Sequence, residues 1–313
     1  MQERLVYNKK VDTLRINPQT GPFKQGRNMS KKHLILTKPG IILGNLITTG
    51  AGFALASKGD PDYRLLLLTL LGLSLIIAAA CVCNNYIDRA ADQKMERTKN
   101  RPLVTGTIST PNALCFAALL LLSGSFILFH YTNLLALYIA LFGFFVYVVI
   151  YSFYKYHSSH ATAIGSIAGA TPPLVGYAAL AGTIDPPALL LYSILVLWQM
   201  PHFYAIAVYR LKEYAAASIP VLPLEKGMAT TKIQMLIYTI AFCIVAALPA
   251  YYGYAGTIYF CVTALVSLFW LYTSLKGFTA KNETLWARKM FFVSLFVITA
   301  LCITLSFDQF RAL

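Results

Sequence analysis

Residues 65–80 read LLLLTLLGLSLIIAAA, and residues 84–102, which follow almost at once, read NNYIDRAADQKMERTKNRP. The first stretch is apolar on every side. A helix with no polar face belongs in lipid or in a very large core, whereas a membrane-spanning strand would alternate over about ten residues. A window of about 20 mostly apolar residues, moved along the 313-residue chain, finds nine such segments, near 36–57, 65–87, 111–130, 133–153, 162–182, 187–208, 233–253, 257–275 and 290–307. The fold class expected is therefore all-α, a polytopic membrane bundle of nine helices. Composition agrees: 58% of residues are hydrophobic and only 12% charged, against about 25% charged in a soluble domain. A soluble globule, a disordered chain and a disulfide scaffold are excluded together.

The charges report topology. Net charge is +14, which in a soluble protein would suggest nucleic acid as partner, but here the bases lie between apolar spans and no nucleic acid is expected. With nine spans the connections alternate sides, and 23 of the 26 Lys and Arg residues fall on one side. The remaining three are Lys58, Arg64 and Arg311. That asymmetry places the N-terminus in the cytoplasm and the C-terminus outside. Residues 1–35 are expected to be a basic cytoplasmic tail without a cleavable signal sequence, and residues 36–313 one membrane-embedded domain. The six cysteines lie in or beside apolar spans and read as packing residues, with no disulfide framework. Glycines recurring within spans fit close helix approach.

Asn84, Asp88 and Asp92 recur every four residues, and a helix at 3.6 residues per turn rotates each of them only about 40° from the last. If the second span continues through them, three oxygen-bearing side chains share one face at the membrane boundary. Mg²⁺ takes one or two carboxylates, waters and substrate phosphates, which suits this set; the alternative is a solvated helix end whose Asp and Arg pair at i,i+4. Arg97, Lys99 and Arg101 follow, able to hold phosphate oxygens, before Pro102 ends any helix. Carboxylates beside a basic cluster suggest a metal-bridged polyanion.

The connection after the sixth span, four spans later, lies on the same side and carries Arg210, Lys212 and Glu213. This spacing hints at an internal duplication with two polar loops facing each other. A second aligned pair of carboxylates is missing, since Ala217 stands four residues after Glu213. At the basic end of the fourth span Tyr151 and Lys155 lie one turn apart, and Lys155 reads as a snorkelling anchor or a phosphate contact. Residues 198–204, WQMPHFY, are unusually polar for a span; His202 there is either a hydrogen-bonded structural residue or an iron ligand.

The pattern N-x-x-x-D-x-x-x-D followed by R-x-x-x-R-P, here Asn84, Asp88, Asp92, Arg97, Arg101 and Pro102, resembles the first signature of the UbiA-type intramembrane prenyltransferases. The resemblance runs from about Lys38 onward. The stretches from Lys38 to Leu46, from Trp198 to Tyr204 and from Ile219 to Pro223 are similar to the branch of that family that farnesylates haem. It implies a nine-helix bundle that moves the farnesyl group of farnesyl diphosphate to a vinyl group of haem B with addition of water. It implies Mg²⁺ as cofactor, held by Asn84, Asp88 and Asp92 with Glu213 as a further ligand. Arg97, Arg101, Lys155, Arg210 and Lys212 would neutralise the diphosphate, and His202, Asn45 and Tyr151 would line the haem or cavity side. The expected setting is a bacterial inner membrane, in contact with membrane lipid, with a haem-copper oxidase or haem A synthase as handover partner. The competing readings are a prenyltransferase with an aromatic acceptor such as 4-hydroxybenzoate, a secondary transporter and a structural assembly subunit.

Overall fold

The computed structural model describes residues 30–308, and nine helices among them are long and apolar enough to cross a membrane. These are α1 (Pro39–Ser57), α2 (Tyr63–Asp92), α3 (Thr110–Tyr131), α4 (Leu134–Tyr154), α5 (Ala161–Ala181), α6 (Pro186–Tyr209), α7 (Gly227–Tyr251), α8 (Thr257–Thr279) and α9 (Glu283–Phe307). Several start where the sequence supplies an oxygen for an orphan backbone N–H: Asp62 accepts from the Leu65 amide, Asn133 from that of Ala136 and Asn282 from that of Leu285. Large apolar side chains such as Leu67, Leu122, Ile244 and Leu265 are exposed, as a lipid-facing surface requires.

Two starts differ from the apolar windows. α7 begins at Gly227 and α9 at Glu283, each well before its predicted span, because hydropathy stops at charge whereas backbone hydrogen bonding does not. Lys232, in the second turn of α7, and Glu283, the first residue of α9, are joined at 2.7 Å. α2 does run unbroken to Asp92. α5 is interrupted at Ala170, just before the Thr171-Pro172-Pro173 sequence, where two missing N–H groups prevent a continuous ladder.

Glycines set the closest crossings. A Cβ at Gly52 would run into the carbonyl of Pro173, and one at Gly176 into that of Thr49, so α1 and α5 touch backbone to backbone. The part of the expected tail that is described, residues 30–35, belongs to a helical turn over 30–36. It is docked: Leu36 is fully buried among Val82, Leu103, Ile108 and Ala113, and its carbonyl accepts from Asn85 Nδ2 at 2.8 Å. Residues 1–29 and Arg311 lie outside the described residues.

Candidate active site

The connections after α2, α4 and α6 meet at one end of the bundle. Ala91, Met95, Ala217 and Ile219 form a small apolar cluster that also packs Tyr156 and Tyr214, and Ser159 N–H donates to Glu225. Beneath this cap lies the ionic centre. Asn84 and Asp92 are only 2% and 3% exposed, and both stand with Asp88 on the same face of α2, in the register expected from their spacing.

Each carboxylate meets a cation. Asp88 is gripped by Lys155 Nζ at 2.6 and 2.7 Å on its two oxygens and accepts from the Tyr156 hydroxyl at 2.8 Å. Arg101 donates to Asp92 Oδ2 at 2.6 Å. Glu213 takes Arg210 at 2.6 Å and Arg97 at 3.6 Å, the latter tying the two polar loops together. Burial, with the Asp88 carboxylate alongside, holds the Tyr156 phenol well above its usual range. Among the described residues no three His, Cys, Asp or Glu side chains converge on one point, and Glu213 is engaged by arginines. The oxygens of Asn84, Asp88 and Asp92 nevertheless form the donor set that a hard divalent ion completes with water and phosphate oxygens, so those three residues fit Mg²⁺.

A fifth cation reaches this centre from a residue that pattern reading did not single out. Lys38 Nζ lies 2.7 Å from Asn84 Oδ1, and burial draws its pKa down to about 8. Its backbone is left-handed, with φ 52° and ψ 66°, although it precedes Pro39, a position biased to extended conformations. Non-glycine residues rarely adopt that region and do so at a cost; here the conformation turns the side chain inward. On the other side Asn84 Nδ2 donates to Ser152 Oγ at 2.9 Å. The Ser152 hydroxyl proton is already committed to the Tyr147 carbonyl at 2.9 Å, so towards Asn84 the serine can only accept. The amide is therefore locked with its nitrogen to Ser152 and its oxygen to the Lys38 ammonium. Ser152 owes its place to the π-helical stretch Val146–Tyr151 inside α4, a local widening often found at functional sites.

His202 is buried on α6, eight residues before Arg210, about 12 Å along a helix rising 1.5 Å per residue. Its ring stacks on Trp198 at 4.7 Å and packs on Phe291 at 4.9 Å. Nδ1 lies 2.7 Å from Ser294 Oγ, whose own proton goes to the Phe291 carbonyl at 2.6 Å. By the same accounting Nδ1 carries the hydrogen and Nε2 the free lone pair. Tyr151 stacks on Tyr147 at 5.5 Å, with the Lys155 ammonium 5.4 Å from its ring centre. Asn45 and Lys212 are not drawn into the centre. Asn45 donates to the Ile41 carbonyl on its own helix, and Lys212 is exposed. Lys99 pairs with Glu96 at the solvent rim.

Residues 45–296 match the UbiA prenyltransferase family. The chain belongs to that family. Among curated UbiA-type relatives, the protoheme IX farnesyltransferase of Protochlamydia amoebophila (strain UWE25) is 49% identical over 280 residues, covering 90% of this chain and 99% of the relative. That of Cronobacter sakazakii (strain ATCC BAA-894) is 50% identical over 281 residues, covering 90% and 95%. The fold is also that of solved structures. A digeranylgeranylglyceryl phosphate synthase superposes with a TM-score of 0.74 at 19% identity, over 89% of this chain and 97% of its own. A UbiA homologue from Archaeoglobus fulgidus bound to GPP and Mg²⁺ gives 0.69 at 18%, over 87% and 99%. Within this UbiA-family chain, Lys38, Ser152 and Tyr156 are the site residues that motif reading passed over. Lys38 opens the stretch to Leu46 that carries part of the family resemblance, but nothing in that stretch pointed its side chain at Asn84.

Proposed function

We infer that this chain is an intramembrane prenyltransferase that joins the farnesyl group of farnesyl diphosphate to a vinyl group of haem B, with addition of water, giving haem O and diphosphate. Identity near 50% along nine-tenths of the chain to protoheme IX farnesyltransferases supports that substrate pair. The observation that carries the chemistry is the charge of this centre. Among the described residues, Lys38, Lys155 and Arg101 within it and the more exposed Arg97 and Arg210 at its rim face three carboxylates, Asp88, Asp92 and Glu213. An excess of cations in a partly desolvated place is built for an anion, and a diphosphate supplies it.

Asn84, Asp88 and Asp92 would hold Mg²⁺, which when bound neutralises charge developing on the leaving diphosphate. Lys155 and Arg101 now serve as counterions to Asp88 and Asp92. With Asp88 and Asp92 holding the metal, Lys155 and Arg101 would be free to pair with diphosphate oxygens instead, so neither cation would be left unpaired. Arg97 and Arg210, held by Glu213, stand at the loop junction to receive its outer oxygens. As the allylic C–O bond breaks heterolytically, its electron pair leaves with the diphosphate, where these prepositioned donors stabilise it. The farnesyl C1 cation adds to the vinyl terminus, water captures the resulting cation beside the porphyrin ring, and loss of one proton leaves the hydroxyethyl group. The faces of Tyr147 and Tyr151, beside Lys155, exclude water and stabilise positive charge. His202 orients the acceptor by presenting the Nε2 lone pair towards the haem iron, with Trp198 and Phe291 as ring contacts.

The setting proposed is a bacterial inner membrane, with the ionic centre on the cytoplasmic side and a haem-copper oxidase or haem A synthase receiving the product. Incubating purified chain with labelled farnesyl diphosphate, Mg²⁺ and either haem B or 4-hydroxybenzoate tests the acceptor. Label should enter a haem product and leave the aromatic acid untouched; prenylation of the acid with haem unchanged would overturn the reading.

A further inference from the structure

A second basic site lies outside the ionic centre. Between the docked turn over 30–36 and the loop before α3 is an open cleft of ≈ 420 Å³. Lys31 and Lys32 form one wall, and Asn100, Thr105 and Thr107 supply polar groups on the other. Among the described residues neither lysine has a carboxylate partner. The two threonine hydroxyls are loosely engaged: they lie 3.3 Å from one another and 3.3 to 3.4 Å from the Pro102 carbonyl, at the weak end of hydrogen bonding. Two unpaired ammonium groups facing hydroxyl and amide donors match the oxygens of a phosphate.

The height of the cleft narrows the ligand further. Ile35 borders it, and Leu34 and Ile35 are 59% and 49% exposed immediately before α1, so the floor of the cleft is at the lipid boundary and its lysines are one turn above it. Basic pockets in that position take anionic headgroups. The walls are rigid on one side, through buried Leu36 and the packing of His33 on Phe116 at 5.1 Å. The other side is the loop that carries Arg101 between Asn100 and Pro102. Gly106, with φ +69°, makes the turn that brings Thr105 and Thr107 back over it.

We propose that this cleft binds the phosphate of an anionic glycerophospholipid headgroup, and that its occupancy braces the loop from which Arg101 reaches Asp92. The lipid therefore stabilises the protein and raises turnover without touching farnesyl diphosphate or haem.

The test is thermal unfolding and turnover of the full chain in nanodiscs of phosphatidylcholine alone or with phosphatidylglycerol, for wild type, K31Q/K32Q and the control R288Q/K289Q. The control removes two exposed bases from the same end of the bundle, on α9. Phosphatidylglycerol should raise the melting temperature and turnover of wild type and of R288Q/K289Q, and lose both effects in K31Q/K32Q. In phosphatidylcholine alone, K31Q/K32Q should unfold and turn over as wild type does. A parallel arm adds inorganic phosphate to phosphatidylcholine discs: stabilisation there, abolished by K31Q/K32Q, keeps the phosphate site and assigns it to a soluble anion. A phosphatidylglycerol effect that survives in K31Q/K32Q, falls equally in both variants, or is absent from wild type overturns the proposal.

Discussion

Replacing Ser152 with alanine removes one hydroxyl that touches neither substrate and should still weaken metal and diphosphate binding. The hydroxyl accepts from Asn84 Nδ2 at 2.9 Å in a fully buried position. Without it Nδ2 is left unpaired, at a cost of about 1–3 kcal/mol. Turning the amide over gives no relief, because Nδ2 would then face the Lys38 ammonium, donor against donor, and Oδ1 would face a methyl group. If that cost falls on the ligand-binding arrangement of Asn84, affinity for the divalent ion with diphosphate drops by about 5- to 150-fold, at 1.4 kcal/mol per factor of ten. The assay is Mn²⁺ binding, read by electron paramagnetic resonance with a non-cleavable farnesyl diphosphate analogue, alongside kcat and KM. Ser152→Thr keeps the hydroxyl and should recover most of the affinity. Wild-type Mn²⁺ binding in a folded Ser152→Ala, or a threonine variant no better than alanine, would refute the lock.

Asp88→Asn and Asp92→Asn should each lower turnover by about a hundredfold or more, the scale of losing one transition-state stabiliser, and should lower the melting temperature less than the alanine variants do, because the amide oxygen still accepts from Lys155 or Arg101; steady-state rates and calorimetry check both. Asp92→Ala should also lose stability, since a mostly buried Arg101 is left without its partner. Lys38→Met should raise the KM for farnesyl diphosphate about tenfold, the worth of a charged hydrogen bond, with haem KM unchanged. His202→Ala and Ser294→Ala should both weaken haem use while diphosphate-analogue binding stays intact, and the Soret band of bound haem should shift in both. Gly176→Ala should lower the melting temperature sharply because its Cβ meets the Thr49 carbonyl, whereas Gly50→Ala, with open space beside it, should be neutral.

The apolar runs determined the nine spanning helices seen among the described residues, because backbone crosses lipid only as a self-satisfied helix or a closed barrel, and unbroken runs lack the alternation a barrel strand needs. The four-residue spacing from Asn84 to Asp92 determined a shared face for the same local reason, and α2 runs through all three. Where charge interrupted hydropathy, at Lys232 and Glu283, the windows began too late. Ion pairs at a helix start depend on a partner strand of chain that a window does not contain.

What only the tertiary structure decided is who meets whom. Asn84 touches Lys38 from 46 residues before it and Ser152 from 68 residues after it, and Arg97 reaches Glu213 across two loops. Lys212 turns outward while Arg210, two residues earlier, turns in. Such pairings cost loop-closure entropy that local pattern cannot register, and the bundle supplies it by packing apolar faces far from the charges. The chain thus encodes its elements in nearest-neighbour chemistry and its site in the geometry of their assembly.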